Sequence, residues 1–271
     1  MNILEVNQLN IRDSKGDRVL VQDSSFHVRE GSCLAIVGES GSGKSLMCRA
    51  IMRLLPSGIR QTGEIAFRGE RLDGLSEREM SALRGRRICL IPQNGMRAFD
   101  PSYPVGVHAR ETLRRHYGWG RGVADAKMTA AMESIMLSDA AELLGKYPHE
   151  LSGGMLQRIM IALSIVLEPD LIIADEPTTA LDMITQFEVV QQLIAVRERI
   201  GSGSSMLLVS HDLGVVEQLA DEVAVIKDGS IIERGAARVI LSDARHAYSR
   251  QLATARQALR GTFRSMMGEE I

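Results

Sequence analysis

A glycine-rich loop between an apolar strand pattern and a helical pattern constrains the fold more than any other segment. Cys33–Val37 is a continuous apolar run that indicates a buried strand, and Lys44–Leu55 has the periodicity of a helix. The loop between them fits the pattern G-x-x-x-x-G-K-[ST] at every fixed position. It consists of Gly38, Glu39, Ser40, Gly41, Ser42, Gly43, Lys44 and Ser45. A strand, a loop of this kind and a helix predict a unit of a parallel α/β sheet.

This loop has the chemistry of a polyphosphate site. Its glycines let the backbone turn with the N–H groups pointing inward, and the following helix adds the positive end of its dipole. We expect Lys44 to reach the β- and γ-phosphates of ATP and Ser45 to bind Mg²⁺. An ordinary glycine–serine turn is the alternative, and the flanking strand and helix patterns argue against it.

Two carboxylates follow a second buried strand pattern. Leu171–Ala174 is continuously apolar and leads into Asp175 and Glu176. The carboxyl end of such a strand faces the nucleotide in a parallel sheet. We expect Asp175 to hold Mg²⁺ directly or through water, and Glu176 to polarise the attacking water as general base. A solvated acidic turn is the alternative for these residues alone, and the phosphate loop makes it the weaker one.

The stretch Leu151–Arg158, with the sequence LSGGMLQR, resembles the signature of ATP-binding cassette (ABC) proteins. Gln93, Asp182 and His211 fall where that family has its glutamine loop, its D-loop and its switch histidine. The resemblance covers nearly the whole chain. It implies that Asp182 belongs to the nucleotide site together with the phosphate loop.

The resemblance also implies that the signature acts in trans. In the family, the signature serine and glycines bind the γ-phosphate of the nucleotide held by the opposite subunit, and they correspond here to Ser152, Gly153 and Gly154. The residues themselves support this, because Ser-Gly-Gly opens a helical pattern and makes a second N-terminal anion site. Two such sites in one chain predict a head-to-tail dimer with a homologous ATPase or a second copy. A plain helix cap is the alternative for this segment alone.

Gln93 and His211 each follow an apolar strand pattern, at Ile88–Ile91 and Met206–Val209. Both strands are expected to end beside the phosphate loop. By resemblance, His211 contacts the γ-phosphate and orients the water, and Gln93 binds Mg²⁺ and relays the state of the nucleotide to a membrane subunit. Either side chain alone would more often be structural, and only the combination favours catalysis.

Composition fits a globular protein in a reducing compartment. With 271 residues, 45% of them hydrophobic, the chain can bury a substantial core and an additional lobe. A net charge of −2 argues against broad nucleic-acid binding. Cys33, Cys48 and Cys89 lie in apolar patterns without C-x-x-C spacing and are expected in the core. No apolar run approaches the ~20 residues that span a bilayer and no leader pattern opens the chain, so we expect it to be cytoplasmic.

The patterns predict an α/β protein with an inserted helical lobe. Strand patterns at Leu4–Ile11 and Val19–Val28 predict an N-terminal antiparallel β subdomain. Helical periodicity dominates from about 95 to 168, which predicts an α-helical subdomain inserted between the halves of the core. Strands then alternate with helices, as in a mixed sheet with flanking helices. We therefore predict a P-loop NTPase core of ABC type over 1–235 and a short helical C-terminal extension over 236–271.

Further phrases resemble the dipeptide, oligopeptide and nickel importer branch of the family, at Tyr147–Met155, Ala174–Asp182 and the C-terminal extension. Leu55–Ile65 and His108–Thr112 look most like the nickel-import ATP-binding subunit of NikD type. The resemblance implies nickel or a chelated transition metal as cargo. Di- or oligopeptide import is the alternative, and a soluble ABC ATPase without a transport role is a further one.

The same branch implies a set of partners. These are a second homologous ATPase, two membrane permease subunits and a periplasmic or lipid-anchored solute-binding protein, with no nucleic acid. The chain would then lie peripherally on the cytoplasmic face of the inner membrane. Cargo passes through the permeases in this branch, so no residue of this chain is expected to touch it.

Two features depart from the family pattern. The family usually has an aromatic residue that stacks on adenine near the end of the first strand, where this chain has Asn10–Asp13. The base contact is therefore unassigned, and Arg12 is a candidate to stack there instead. Some peptide-importer relatives carry a cysteine cluster for an iron–sulfur centre in the C-terminal extension. This chain has no cysteine after Cys89, so we expect no such centre.

Overall fold

The computed structural model describes residues 1–14, 18–179, 181–199 and 204–254. Its strands are β1 Asn2–Asp13, β2 Val19–Arg29, β3 Cys33–Val37, β4 Ile59–Phe67, β5 Glu70–Arg71, β6 Ile88–Ile91, β7 Leu171–Asp175, β8 Ser205–Ser210, β9 Glu222–Lys227 and β10 Ser230–Ala236. Its helices are α1 Lys44–Ile51, α2 Glu77–Leu83, α3 Val105–Tyr117, α4 Arg121–Ser134, α5 Ala140–Leu143, α6 Gly153–Leu167, α7 Met183–Arg199, α8 Leu213–Leu219 and α9 Ala237–Ser242.

The larger sheet contains six strands in the order β10-β9-β3-β8-β7-β6. The strands from β9 to β6 are parallel, and β10 pairs with β9 in antiparallel orientation. Every residue of β3 and β7 is buried, as expected for strands that are covered on both faces. The predicted mixed sheet of an α/β core is confirmed.

A four-stranded antiparallel sheet, in the order β2-β1-β4-β5, packs on one face of the larger sheet. Side chains of β1, β2 and β4 form a hydrophobic cluster with α1 and with alternate residues of the larger sheet. Leu34 and Ile36 of β3 belong to this cluster, whereas Cys33, Ala35 and Val37 face the other side. The predicted N-terminal antiparallel sheet is confirmed.

The opposite face of the larger sheet packs against α7, α8 and α9. Val189, Val190 and Leu193 of α7 lie in this cluster, together with Val216 of α8 and Ile240 of α9. Burial of the sheet on both faces removes its apolar strands from water and fixes the positions of their carboxyl ends. Those ends carry the candidate site.

The chain between β6 and β7 forms a helical lobe, α3 to α6, with a hydrophobic cluster of its own. Met128 and Met132 of α4 are fully buried in it, whereas Met136, just beyond the helix, is 79% exposed. Cys33, Cys48 and Cys89 are buried and unpaired, as predicted. The lobe falls within the range 95–168, but the division of the chain at 95, 168 and 235 stays a prediction.

After β10 the chain continues as α9, and residues 247–254 are helical as well. The C-terminal extension was predicted over 236–271, and the part from 255 onward lies outside the described residues. Across the part of the chain that the structure covers, no helix is long and apolar enough to cross a membrane.

Helix α1 is shorter than its pattern predicts. It ends at Ile51 instead of Leu55, with Met52 as its C-cap. Arg53 has a φ of 51°, so the backbone leaves the helix there, and Pro56 would clash with any continuation. The apolar spacing of Leu54 and Leu55 therefore extends a helical pattern past the true end of the helix.

Leu34 tests the joint core of the two sheets. It is 1% exposed on β3 between the antiparallel sheet and α1, and Leu34→Ala is expected to lower the free energy of unfolding by about 2–5 kcal/mol. Val239→Ala, at a position 43% exposed on α9, should change it by less than about 0.5 kcal/mol. Urea denaturation followed by circular dichroism would measure both, and equal losses would contradict this placement of the core.

Candidate active site

The glycine-rich loop lies at the carboxyl end of β3 and packs directly against neighbouring backbone. A Cβ at Gly38 would be 2.2 Å from the Ile226 carbonyl oxygen of β9. Gly43 has a φ of 100°, and a Cβ there would be 2.7 Å from Val21 Cγ2. These glycines are therefore required by space and backbone conformation, and they fix the path of the chain into α1.

Lys44 holds a buried positive charge at the centre of the loop. Its side chain is 3% exposed, and Nζ lies 3.8 Å from Glu176 Oε1. Nζ donates hydrogen bonds to the carbonyl oxygens of Gly38, at 2.8 Å, and Glu39, at 2.7 Å. Burial lowers the pKa of Lys44, and the carboxylates of Glu176 and Asp175 oppose that effect.

Ser42 indicates that the loop fits an anion. Its Oγ is buried and has no hydrogen-bond partner among the described residues. A buried hydroxyl without a partner is costly, and a phosphate oxygen in the loop would accept its hydrogen bond. Glu39, Ser40 and Gly41 are exposed, so this side of the loop is open to a ligand.

Ser45 and Asp175 form a joined pair beside the loop. Ser45 Oγ donates to Asp175 Oδ1 at 2.8 Å, which links the start of α1 to the end of β7. Asp175 is 6% exposed, and burial raises its pKa, while the hydrogen bond from Ser45 works against the shift. A hydroxyl and a carboxylate are oxygen ligands of the kind that Mg²⁺ uses in nucleotide sites. The pair therefore fits Mg²⁺.

Glu176 is the point on which the other predicted catalytic residues converge. Gln93 Nε2 donates to Glu176 Oε2 at 2.9 Å, and His211 Nδ1 lies 3.4 Å from the same oxygen. The backbone N–H of Glu176 donates to the Val209 carbonyl oxygen of β8 at 2.8 Å. Thr179 Oγ1 also donates to Oε2, at 3.0 Å.

Thr179 contacts Glu176, and the sequence patterns did not identify this residue. Its N–H donates to the Glu176 carbonyl oxygen at 3.1 Å, so the turn after β7 closes on itself and presents the threonine hydroxyl to the carboxylate. A threonine three residues after an acidic residue is a local signal for such a turn. The Thr179 bonds hold the position of Glu176, whose φ of 47° lies in the left-handed region.

The predicted signature lies at the start of α6 in the helical lobe. Ser152 Oγ accepts a hydrogen bond from the Met155 N–H at 3.1 Å and so caps the helix. No hydrogen bond or ion pair in the described ranges joins Ser152, Gly153 or Gly154 to the phosphate loop. The structure therefore does not bring the signature together with the loop of the same chain.

The two signature glycines have different surroundings. A Cβ at Gly153 would meet nothing within 4 Å, whereas one at Gly154 would be 2.4 Å from Thr185 Cγ2. Gly154 is thus needed for packing within the chain, since α7 lies against it there. Gly153 is open on the outside of the helix start.

Asp182 is engaged at the start of α7 and does not reach the phosphate loop. Its carboxylate accepts from the N–H groups of Ile184, at 3.1 Å, and Thr185, at 3.0 Å, and from Thr185 Oγ1 at 2.6 Å. The side-chain bond from Thr185 is the main cause of a lowered pKa of Asp182. Thr185, which sequence reasoning also missed, therefore connects Asp182 to Gly154.

The signature helix also contacts the segment that carries Gln93. Gln157 of α6 is 2% exposed, and its Nε2 donates to the Pro92 carbonyl oxygen at 3.3 Å. A Cβ at Gly95 would be 3.1 Å from the Gln157 backbone nitrogen. The chain on both sides of Gln93 thus packs on the helical lobe.

Arg12, the candidate for stacking on adenine, lines a groove of the antiparallel sheet together with Arg60 and Thr62. The cavity next to the phosphate loop has other walls. It is lined by Arg18–Leu20, Glu39–Ser42, Lys227–Gly229 and Tyr248. The structure thus places Arg12 and the loop cavity in separate depressions.

Comparison with known proteins identifies the family of the chain. Residues 21–179 fit the family model of the ABC transporter. The metal-staphylopine import system ATP-binding protein CntD of Staphylococcus aureus is 40% identical over 271 residues, 100% of this chain and 99% of that protein. The probable D,D-dipeptide transport ATP-binding protein DdpD of Escherichia coli is 40% identical over 251 residues, 91% of this chain and 76% of that protein. The oligopeptide transport ATP-binding protein OppD of Bacillus subtilis is 39% identical over 251 residues, 91% of this chain and 70% of that protein.

Solved structures share the fold. The dimeric post-hydrolysis state of the ATP-binding cassette MJ0796, bound to ADP and Pi, has a TM-score of 0.74 at 24% identity and covers 87% of this chain and 99% of that chain. Structural likeness at that level of identity speaks for the fold alone. The family model and the relatives of about 40% identity carry the assignment further. The chain belongs to the ABC transporter family, as an ATP-hydrolysing cassette.

Proposed function

We propose that this chain is the ATPase subunit of a bacterial ABC importer and that it energises uptake of a chelated transition metal. The observation that carries the ATPase part of the proposal is the convergence of Lys44, Gln93 and His211 on the Glu176 carboxylate, beside the Ser45–Asp175 pair. A buried ammonium, a Mg²⁺-type oxygen pair and a positioned carboxylate are the groups that hydrolysis of a phosphoanhydride needs.

In this proposal, the glycine-rich loop and Lys44 bind the phosphates. The ammonium has three donors, and it keeps the contact with the Gly38 carbonyl while it turns the others, including the one now bound to Glu39, to the β- and γ-phosphate oxygens of ATP. Ser42 Oγ, which has no partner within the described residues, donates to a phosphate oxygen. Ser45 and Asp175 would hold Mg²⁺, with Gln93 as a further ligand. Bound there, Mg²⁺ would neutralise part of the phosphate charge.

Glu176 activates the attacking water in this proposal. Its Oε2 is fixed by Gln93 and Thr179, so the carboxylate is held in place to accept a proton from a water in line with the γ-phosphate. His211, with its side chain 57% exposed, is free to reach the γ-phosphate while it stays near the carboxylate. Gln93 links this event to the helical lobe through the neighbouring Pro92–Gln157 bond.

The second half of the site comes from another cassette in this proposal. Ser152 and Gly153 stand at the start of a 15-residue helix, where N–H groups and the helix dipole favour an anion. The open space around Gly153 supports approach of a phosphate held by another chain. Asp182, tied to Gly154 by Thr185, would approach the same composite site. A second copy or a homologous ATPase, placed head to tail, supplies each signature.

The proposed partners include two membrane permeases and a solute-binding protein, with the cassette on the cytoplasmic face of the inner membrane. A cavity of about 530 Å³ lies between the chain after Gln93 and the helical lobe. Its walls include Ala98, Phe99, His108, Glu111, Met160 and Leu163. We assign this groove to a permease loop, because movement there would reach both Gln93 and α6.

The cargo is the part of the proposal that rests on relatives. CntD, a protein of a metal-staphylopine import system, matches the chain over its full length. DdpD and OppD, named for dipeptide and oligopeptide transport, match 91% of it at nearly the same identity. We favour a metal chelate, with nickel as the metal to test first, and peptide import is the second candidate. The likeness to the nickel-import ATP-binding subunit of NikD type rests on short sequence segments alone.

Glu176→Gln should preserve ATP binding and reduce ATP turnover of the assembled transporter at least about a hundredfold, because the amide cannot accept the proton. Phosphate release and equilibrium binding of ATP would be measured in parallel. Glu133→Gln, on the exposed face of α4, is the matched control and should keep normal turnover. Near-normal hydrolysis by the Glu176 variant would remove the residue from its assigned role.

Mixing two inactive variants tests whether the signature acts in trans. Lys44→Ala disables the loop, and Gly153→Asp places a carboxylate where it fits its own chain but repels the phosphate of another. An equal mixture should recover about a quarter of wild-type turnover, because half the dimers carry one intact composite site. Each variant alone should be inactive. An active Gly153→Asp variant, or a mixture without recovery, would contradict pairing of two copies through the signature.

Uptake assays in cells that lack the subunit decide the cargo. Loss of radioactive nickel uptake in the presence of a chelator, with labelled dipeptide uptake unchanged, is expected. Wild-type chain should restore uptake, and the Glu176→Gln chain should not. Loss of dipeptide uptake alone would establish the second candidate instead. Copurification of the chain with membrane permeases would exclude a soluble ATPase without a transport role.

A further inference from the structure

Tyr248, in the segment after β10, contacts the phosphate loop directly. Its hydroxyl accepts a hydrogen bond from the Glu39 N–H at 3.1 Å. The residue is 6% exposed, and its ring forms part of the wall of the cavity beside the loop, a space of about 230 Å³. The C-terminal segment thereby reaches the nucleotide site, although 209 residues separate the two partners in sequence.

The contact acts on the same peptide group as Lys44. The carbonyl of the Gly38–Glu39 peptide accepts from Lys44 Nζ at 2.8 Å, and the N–H of that peptide donates to Tyr248. In a trans peptide the carbonyl and the N–H point in opposite directions. Tyr248 and Lys44 therefore hold the first peptide of the loop from its two sides, and a rotation of that peptide would break both bonds.

Tyr248 is itself firmly placed. The Glu233 carboxylate of β10 accepts from the N–H groups of Arg245, at 2.7 Å, and His246, at 3.1 Å, just before the helical residues 247–254. Lys227 is the last residue of β9, and its Nζ lies 5.1 Å from the centre of the Tyr248 ring. Burial raises the pKa of Tyr248 further above its ordinary value, which already lies well above neutral pH, so the phenol is uncharged.

We infer that Tyr248 is a positioning residue for ATP binding, which holds the Gly38–Glu39 peptide so that its carbonyl faces Lys44. The inference rests on the proposed binding of ATP at this loop. Tyr248 acts through the peptide and is not assigned a contact with phosphate. It also makes the segment anchored by Glu233 part of the machinery that sets affinity for ATP.

Tyr248→Phe removes the hydroxyl and keeps the ring. The Kd for ATP, measured by calorimetry on the purified full chain, should rise about threefold to tenfold, the effect of one lost hydrogen bond at the loop. In the assembled transporter KM should rise by a similar factor, with kcat within about twofold. Tyr117→Phe is the matched control, since Tyr117 Oη donates to the Leu167 carbonyl oxygen at 2.6 Å in the helical lobe. Its Kd should equal that of the wild type.

Glu233→Ala tests the anchor independently. It should raise the Kd for ATP in the same direction, and combining it with Tyr248→Phe should raise the Kd less than the product of the two single effects. Melting temperatures of all variants show whether folding is preserved. A Kd for Tyr248→Phe equal to that of Tyr117→Phe would overturn the inference while leaving the proposed function intact. Wild-type chain that binds no ATP would overturn both.

Discussion

Parallel pairing of β3, β8 and β7 determines where three strands end, and the whole candidate site is built along that edge. Val37 pairs with Ser210, and Asp175 pairs with Val209. The glycine-rich loop, His211 and Glu176 therefore all start at nearly the same level of the sheet. A slip of one residue would turn the side chains of a strand to the opposite face and would separate these groups. Burial of both faces makes such a slip costly.

Within one chain, the site places opposite charges close together. The Lys44 ammonium and the Asp175 carboxylate are buried beside Glu176, and the two carboxylates favour the charged form of Lys44 while Lys44 favours that of Asp175. The contacts of Lys44 with loop carbonyls and of Ser45 with Asp175 satisfy groups that would otherwise be buried alone.

The sequence alone was sufficient for the parts of the fold that depend on local pattern. Continuous apolar runs identified β3 and β7, and the loop at Gly38–Ser45 identified the strand-to-helix unit. The sequence alone was not sufficient to predict contacts between distant segments. Thr185 meets Gly154 only because α7 packs on α6, and Tyr248 meets Glu39 only because the chain beyond α9 packs beside the loop. The early end of α1 was missed because apolar spacing continued past Arg53.

The bond from Gln157 to Pro92 has a consequence for energy transfer. It connects the signature helix to the peptide next to Gln93, and Gln93 in turn bonds to Glu176. In the proposed transporter, a permease loop that docks in the groove and tilts the lobe would therefore change the free energy of the nucleotide state. Thermodynamic reciprocity requires the converse in equal measure: whatever factor docking applies to the affinity for nucleotide, nucleotide applies to the affinity for the docked partner.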